Sequence, residues 1–254
     1  MARRHLRLGA SVGLLVVAAA LAGCGRAHAD PLSRTEAAMA ALDAGHIEFA
    51  LSATADSDAR RLVGFRMRGP FAIEEDRRYP TIDMRYTTLL GDSERDLRIV
   101  SDGHAIHLVQ DGARTEVSAE QARFLRLGKG DRGFTDLGVS GWVEDAAVME
   151  RHDGSRLVTG TIDVGDLLSD LARISGQAAG ATTGDTLDGD SARRLQRLVR
   201  SSEFTAELDR AGLPRNLRAV VDFGRDLPPE LRAALGPYAS PRLEVTLAVQ
   251  PTPH

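Results

Sequence analysis

Apolar and polar residues alternate with a period of two in stretch after stretch of this chain. Ile47, Phe49, Leu51 and Ala53 alternate with Glu48, Ala50, Ser52 and Thr54. Val63, Phe65 and Met67 alternate with Gly64, Arg66 and Arg68, and Ile82, Met84 and Tyr86 with Asp83, Arg85 and Thr87. Side chains on a strand point to its two faces in turn, so each run reads as a strand with one apolar and one polar face. Leu97 and Ile99 continue the series, then Ile106 and Leu108. Asp102-Gly103, Asp111-Gly112 and Asp153-Gly154 punctuate it. Such pairs accept the positive φ that two-residue hairpin turns require. Strands are expected again over 142–151 and 156–162. Three more close the chain at Phe204–Leu208, Leu217–Phe223 and Leu243–Val249. Closely spaced strands with short turns make an antiparallel meander.

Helical signals interrupt the strands. Ser33-Arg34-Thr35-Glu36 is a capping box that predicts a helix to Ala44, with Gly45 as its stop. Ser118-Ala119-Glu120-Gln121 predicts a second helix, through about Leu127. Asp163 is placed to cap a short helix carrying Leu167, Leu168, Leu171 and Ile174. Another helix is expected from Ser191, with Leu195, Leu198 and Val199 on one side, and a helical turn at Pro228-Pro229. Glycine-rich 128–138 reads as a loop, and 176–189, small and polar, as a mobile stretch. A sheet with one apolar face must have that face covered. The expected class is α+β: a strongly curved antiparallel sheet, a half-barrel, with helices on its concave face and space left between them.

The N-terminus changes the picture. Arg3-Arg4-His5-Leu6-Arg7 precedes an apolar run from Leu8 to Leu21. A basic start, a short apolar core and small residues at its end make an export signal. The run falls short of the roughly 20 residues that span a bilayer. It ends in Leu21-Ala22-Gly23-Cys24, which resembles the lipobox of bacterial lipoproteins, and Cys24 is the only cysteine. The resemblance implies cleavage before Cys24 and diacylation of its thiol, with the new amino terminus often acylated too. Residues 1–23 are then the signal peptide, 24–32 the lipidated N-terminus and tether, 33–250 one domain and 251–254 a tail. Ordinary secretion is the alternative, with Ala27-His28-Ala29 as a cleavage site before Asp30.

Removing Arg3, Arg4 and Arg7 with the signal takes the formal charge from −4 to −7. That balance argues against a nucleic-acid partner. A single cysteine offers no disulfide framework. Catalytic and metal patterns fail on spacing, so no cofactor, metal or enzyme activity is expected. Gly138-Val139-Ser140-Gly141 lacks the geometry of a G-x-S-x-G elbow. His104 and His107 are three apart on a strand and point to opposite faces. Asp185, Asp188 and Asp190 do not fall at calcium-loop positions, and Gly128-Lys129 lacks the upstream glycine of a phosphate loop. Arg193, Arg194, Arg197 and Arg200 are the solvated face of an amphipathic helix or a contact for anionic head groups.

The order of elements — lipobox, capped helix, long meander, helical insert, three closing strands — resembles the actinobacterial, chiefly mycobacterial, LppX/LprG lipoprotein family. Gly212-Leu213-Pro214, Leu217 to Val221, Asp222-Phe223-Gly224 and the short helix expected at Pro229 to Leu235 are similar to its closing part. The chain departs from that family in its stretch 176–189 and its many arginines. Family members look like the LolA and LolB carriers, half-barrels around a hydrophobic cavity. The resemblance implies a lipid-anchored protein of the cell membrane's extracytoplasmic face that binds or carries a lipid or lipoglycan, with an envelope transporter as a candidate partner. It also makes the inward residues Phe49, Leu51, Val63, Phe65, Met67, Ile82, Met84, Tyr86, Leu97 and Ile99 cavity lining. Alternation alone shows which face is inward, not whether space remains there. The alternative is a structural or interaction lipoprotein with a filled core and no lipid ligand.

Overall fold

The structure is a computed structural model that describes residues 30–54, 62–74, 76–91, 93–118, 137–178, 189–223 and 242–252. The chain divides into two units, Met1–Asp30 and Pro31–His254, and the described sheet and helices belong to the second. The expected signal, Cys24, the expected helix after Ser118, nearly all of 128–138 and 176–189, and the expected helical turn at Pro228-Pro229 lie outside the described residues.

Helix α1 spans Pro31–Ala40, two residues ahead of the expected start and four short of the expected end. Proline suits a first helical position because the N–H it lacks would be unbonded there. Ser33 therefore sits inside the helix, and the capping-box reading is corrected. Thr35, fully buried, donates its hydroxyl to Pro31 O at 3.1 Å. Gly45 is not a helix stop either, since it lies within β1 (Ala44–Thr54), paired with Phe71 and Pro251. A Cβ there would stand 2.7 Å from Gln250 O, so close strand approach explains the glycine.

The next strands are β2 (Leu62–Ala72), β3 (Thr81–Leu90), β4 (Ser93–Asp102), β5 (Ile106–Gln110), β6 (Ala113–Glu116), β7 (Val143–Glu150) and β8 (Arg156–Ile162). Helices α2 (Val164–Ala178) and α3 (Gly189–Leu198) come after them. Then come β9 (Ser201–Leu208), β10 (Pro214–Asp222) and β11 (Arg242–Pro251). The eleven strands among the described residues form one antiparallel sheet in the order β6-β5-β4-β3-β2-β1-β11-β10-β9-β8-β7. The last strand lies between the first and the tenth, joining two meanders. Edge strands β6 and β7 do not pair, so the sheet stays open, as a half-barrel does.

Local chemistry accounts for the turns. Asp111 and Gly112 have φ of 49° and 80°, both positive as a type I′ turn demands. Asp102 Oδ1 accepts the N–H groups of His104 and Ala105 at 2.9 and 3.1 Å. Those two bonds hold its carboxyl below the usual carboxylate range. Asp163 caps α2 as expected: its Oδ1 accepts Asp166 N–H at 3.1 Å.

One apolar face collects the core. Leu32 and Met39 of α1, Leu167, Leu168 and Leu171 of α2 and Leu195 of α3 join Ile47, Phe49, Phe204, Leu217, Val245 and Leu247 in a single buried cluster. The α+β arrangement read from the sequence, with helices against the apolar side of an antiparallel sheet, is the one found. Among the described residues, no helix is long and apolar enough to cross a membrane.

Candidate functional site

The register places the inward residues side by side. Across β1, β2, β3 and β4, Phe49 faces Met67, Met67 faces Tyr86, and Tyr86 faces Leu97. One step away Leu51 faces Phe65, and Met84 faces Ile99. Directly opposed residues share a face, so these form one surface.

That surface has two parts. Phe49, Leu51, Ile82, Met84 and Ile99 are buried, Met84 completely. They pack within the core cluster. Val63, Phe65, Met67, Tyr86 and Leu97 are only half-buried. The aromatic rings bridge the two parts. Phe49 and Phe65 lie 5.7 Å apart by ring centroid, and Phe65 stacks on Tyr86 at 5.4 Å with planes 17° apart. Such spacing adds to simple burial.

Two residues extend the half-buried part. Leu90 is 67% exposed and opposes Val63, while Leu108 is 37% exposed and opposes Ile99. Leu90 was not among the expected lining residues. Finding it requires the β2–β3 register, because Val63 and Leu90 are brought together only by the pairing of whole strands. The resulting stripe, from Leu90 and Val63 through Phe65, Met67, Tyr86 and Leu97 to Leu108, is apolar and only partly covered: Phe65, Met67, Tyr86 and Leu97 pack against the core, and Leu90 and Leu108 are its exposed ends. Scattered exposed apolar residues are ordinary, whereas a contiguous set signals binding.

The other candidates have structural partners. Ser140 donates its N–H to Glu36 Oε1 at 2.7 Å, which pins the 137–142 loop to α1. Trp142, fully buried, donates Nε1–H to Asp170 Oδ2 at 2.9 Å, and the same oxygen accepts Gly138 N–H. His104 Nε2 lies 2.6 Å from Arg77 Nη1 in the turn before β5, and His107 is on β5. Among the described residues no cluster of His, Cys, Asp or Glu is arranged to hold a metal ion. On α3, Arg193, Arg194 and Arg197 are exposed, as is Arg200 just beyond it, while Leu195 is buried. Arg193 pairs with Asp190 at 2.5 Å. The helix is amphipathic, and its arginines face water.

No family model matches the chain, and no curated protein does. Several solved structures are similar to it, three of them as follows. LprF from Mycobacterium bovis is 12% identical, with 88% of this chain and 92% of that chain covered and a TM-score of 0.44. The lipoprotein LppX from Mycobacterium tuberculosis is 12% identical over 87% and 91%, at 0.41. A LolA superfamily protein from Nitrosomonas europaea is 10% identical over 88% and 93%, at 0.27.

Proposed function

We propose that this protein is a lipid-anchored, non-enzymatic lipoprotein of the cell envelope that shields the acyl portion of a lipid or lipoglycan against the stripe between Leu90 and Leu108. The observation that carries the reading is the apolar surface left partly exposed on the inner side of β2, β3 and β4. Each methylene buried there contributes about 0.8 kcal/mol, so a short length of acyl chain suffices for useful affinity. The buried half of the surface, around Met84, forms the packed floor on which the ligand rests. The anchor is Cys24. One acyl chain binds a membrane only marginally, while two or more hold it stably.

A fluorescent acyl probe titrated onto delipidated protein tests the shielding. Met67→Trp and Leu97→Trp are expected to keep the wild-type melting temperature, because a partly exposed side chain can extend toward solvent, and to take up less probe. Met84→Trp is expected to lose about 1–3 kcal/mol of stability by overpacking. A wild type that takes up no probe would favour the filled-core lipoprotein instead. For the anchor, Cys24→Ala is expected to move the protein from the membrane fraction to the soluble one. Intact mass of the wild type should show loss of residues 1–23 and a gain of acyl mass. A mature N-terminus at Asp30 would rule the anchor out.

A further inference from the structure

The side of the sheet opposite the stripe carries a second feature. Arg68 on β2 directly opposes Arg85 on β3, and Arg85 directly opposes Arg98 on β4. All three have the parity of the polar face, alternating with Met67, Met84 and Leu97. Like charges set directly opposite one another destabilise a sheet, and here three guanidinium groups stand in one row. They line a cleft of about 610 Å³ that reaches from His46 on β1 to Asp111 beyond β5.

The acidic neighbours do not neutralise the row evenly. Asp83 is committed to Arg98, in a two-pronged pair through Nε and Nη2. That pair lowers the Asp83 carboxyl below its usual range, chiefly through the hydrogen bond from Arg98. Asp96 accepts the buried Thr87 hydroxyl at 2.6 Å. Glu48 opposes Arg68 across β1, and Asp111 stands at the far rim. Among the described residues neither Arg68 nor Arg85 makes an ion pair. Two adjacent forks are thus left pointing to one side of the sheet, beside a third that its partner holds fixed.

We propose that this cleft is an anion site that binds a phosphate group, with Arg68 and Arg85 as its two grips. Each guanidinium offers paired N–H donors that match two oxygens of a phosphate. Strand-opposed residues lie about 5 Å apart at their Cα atoms, close enough for one phosphate to bridge both. A bound anion also relieves the repulsion that the row otherwise costs. The three guanidinium groups lie on the opposite side of the sheet from the stripe, of whose residues only Leu97 borders the cleft, and the site stands whether or not a lipid binds to the stripe. Its phosphate comes from a soluble phosphate compound or from a phospholipid head group.

Equilibrium titration of the lipid-anchored protein in detergent separates the two sources. The probes are inorganic phosphate, dihexanoyl phosphatidic acid and dihexanoyl phosphatidylcholine. Saturable one-to-one binding of phosphate or phosphatidic acid is expected. Arg68→Gln and Arg85→Gln should each weaken it at least about tenfold, as loss of charge-assisted bonds does. Arg215→Gln, on β10 outside the cleft, should leave it unchanged. Both cleft variants should melt no lower than the wild type, since each removes a like charge, and that outcome shows them folded. Tighter binding of phosphatidic acid than of inorganic phosphate assigns the head group as the source; the reverse assigns a soluble phosphate. Absence of saturable binding, or equal weakening by Arg215→Gln, would overturn the site.

Discussion

At the scale of single residues, partners decide more than residue type. Asp83 and Arg98 illustrate this on the polar face. The hydrogen bond from Arg98 holds the Asp83 carboxyl below its usual range, burial opposes the shift, and the Arg98 charge adds to it. A carboxyl whose folded pKa lies below its unfolded one stabilises the fold above the unfolded pKa. It loses that contribution as pH falls through the folded value. Both side chains are about half exposed, so water screens the pair and its contribution is small. Asp83→Asn is therefore expected to melt slightly below the wild type at neutral pH, and the gap should narrow steadily as acidification passes below the usual carboxylate range. Thermal melts of both proteins across that range check it; a gap independent of pH would show that Arg98 does not depend on the carboxylate. None of this pairing is visible in sequence, since Asp83 and Arg98 meet only through the β3–β4 register. By contrast the turn residues were legible. Asp111-Gly112 announces its hairpin because few other pairs tolerate two positive φ angles in succession.

At the scale of elements, alternation identified the strands and their inward faces, because period two follows from the pleat itself. It could not fix the ends of α1, where the capping box pointed to Ser33 and the helix begins at Pro31, nor the neighbours of β11, whose place between β1 and β10 is set by non-local pairing. Glycine in β2 was equally opaque. Gly64 looked like one polar-face position among others. In the sheet its missing Cβ would lie 2.2 Å from Leu51 O on β1, and that of Gly69 2.2 Å from Asp83 O on β3. Glycine inside a strand marks close approach or a bend, the device by which sheets curl toward barrels. Gly64→Ala must push β1 and β2 apart and is expected to cost about 1–3 kcal/mol. For a chain of this size that lowers the melting temperature by about 2–4 °C per kcal/mol. An unchanged melting curve would show that the two strands have slack.

At the scale of the whole molecule, the open sheet separates two surfaces with different chemistry. The inner one is packed around Phe49, Met84 and Ile99 and only partly covered along Phe65, Met67, Tyr86 and Leu97. The outer one carries the arginine row. Sequence pattern assigned the ten inward residues to one face but not to these two environments, because depth of burial depends on what lies over a strand rather than on the strand's own period. Lipid shielding by the partly exposed stripe is the central claim. Native mass spectrometry of the protein purified from its own host's membranes tests it most directly. The expected spectrum shows the mature acylated chain in a complex with one non-covalent lipid, and the same preparation of Met67→Trp shows the chain with that lipid largely lost. A wild type that arrives without bound lipid, or a variant that retains it in full, would contradict the claim.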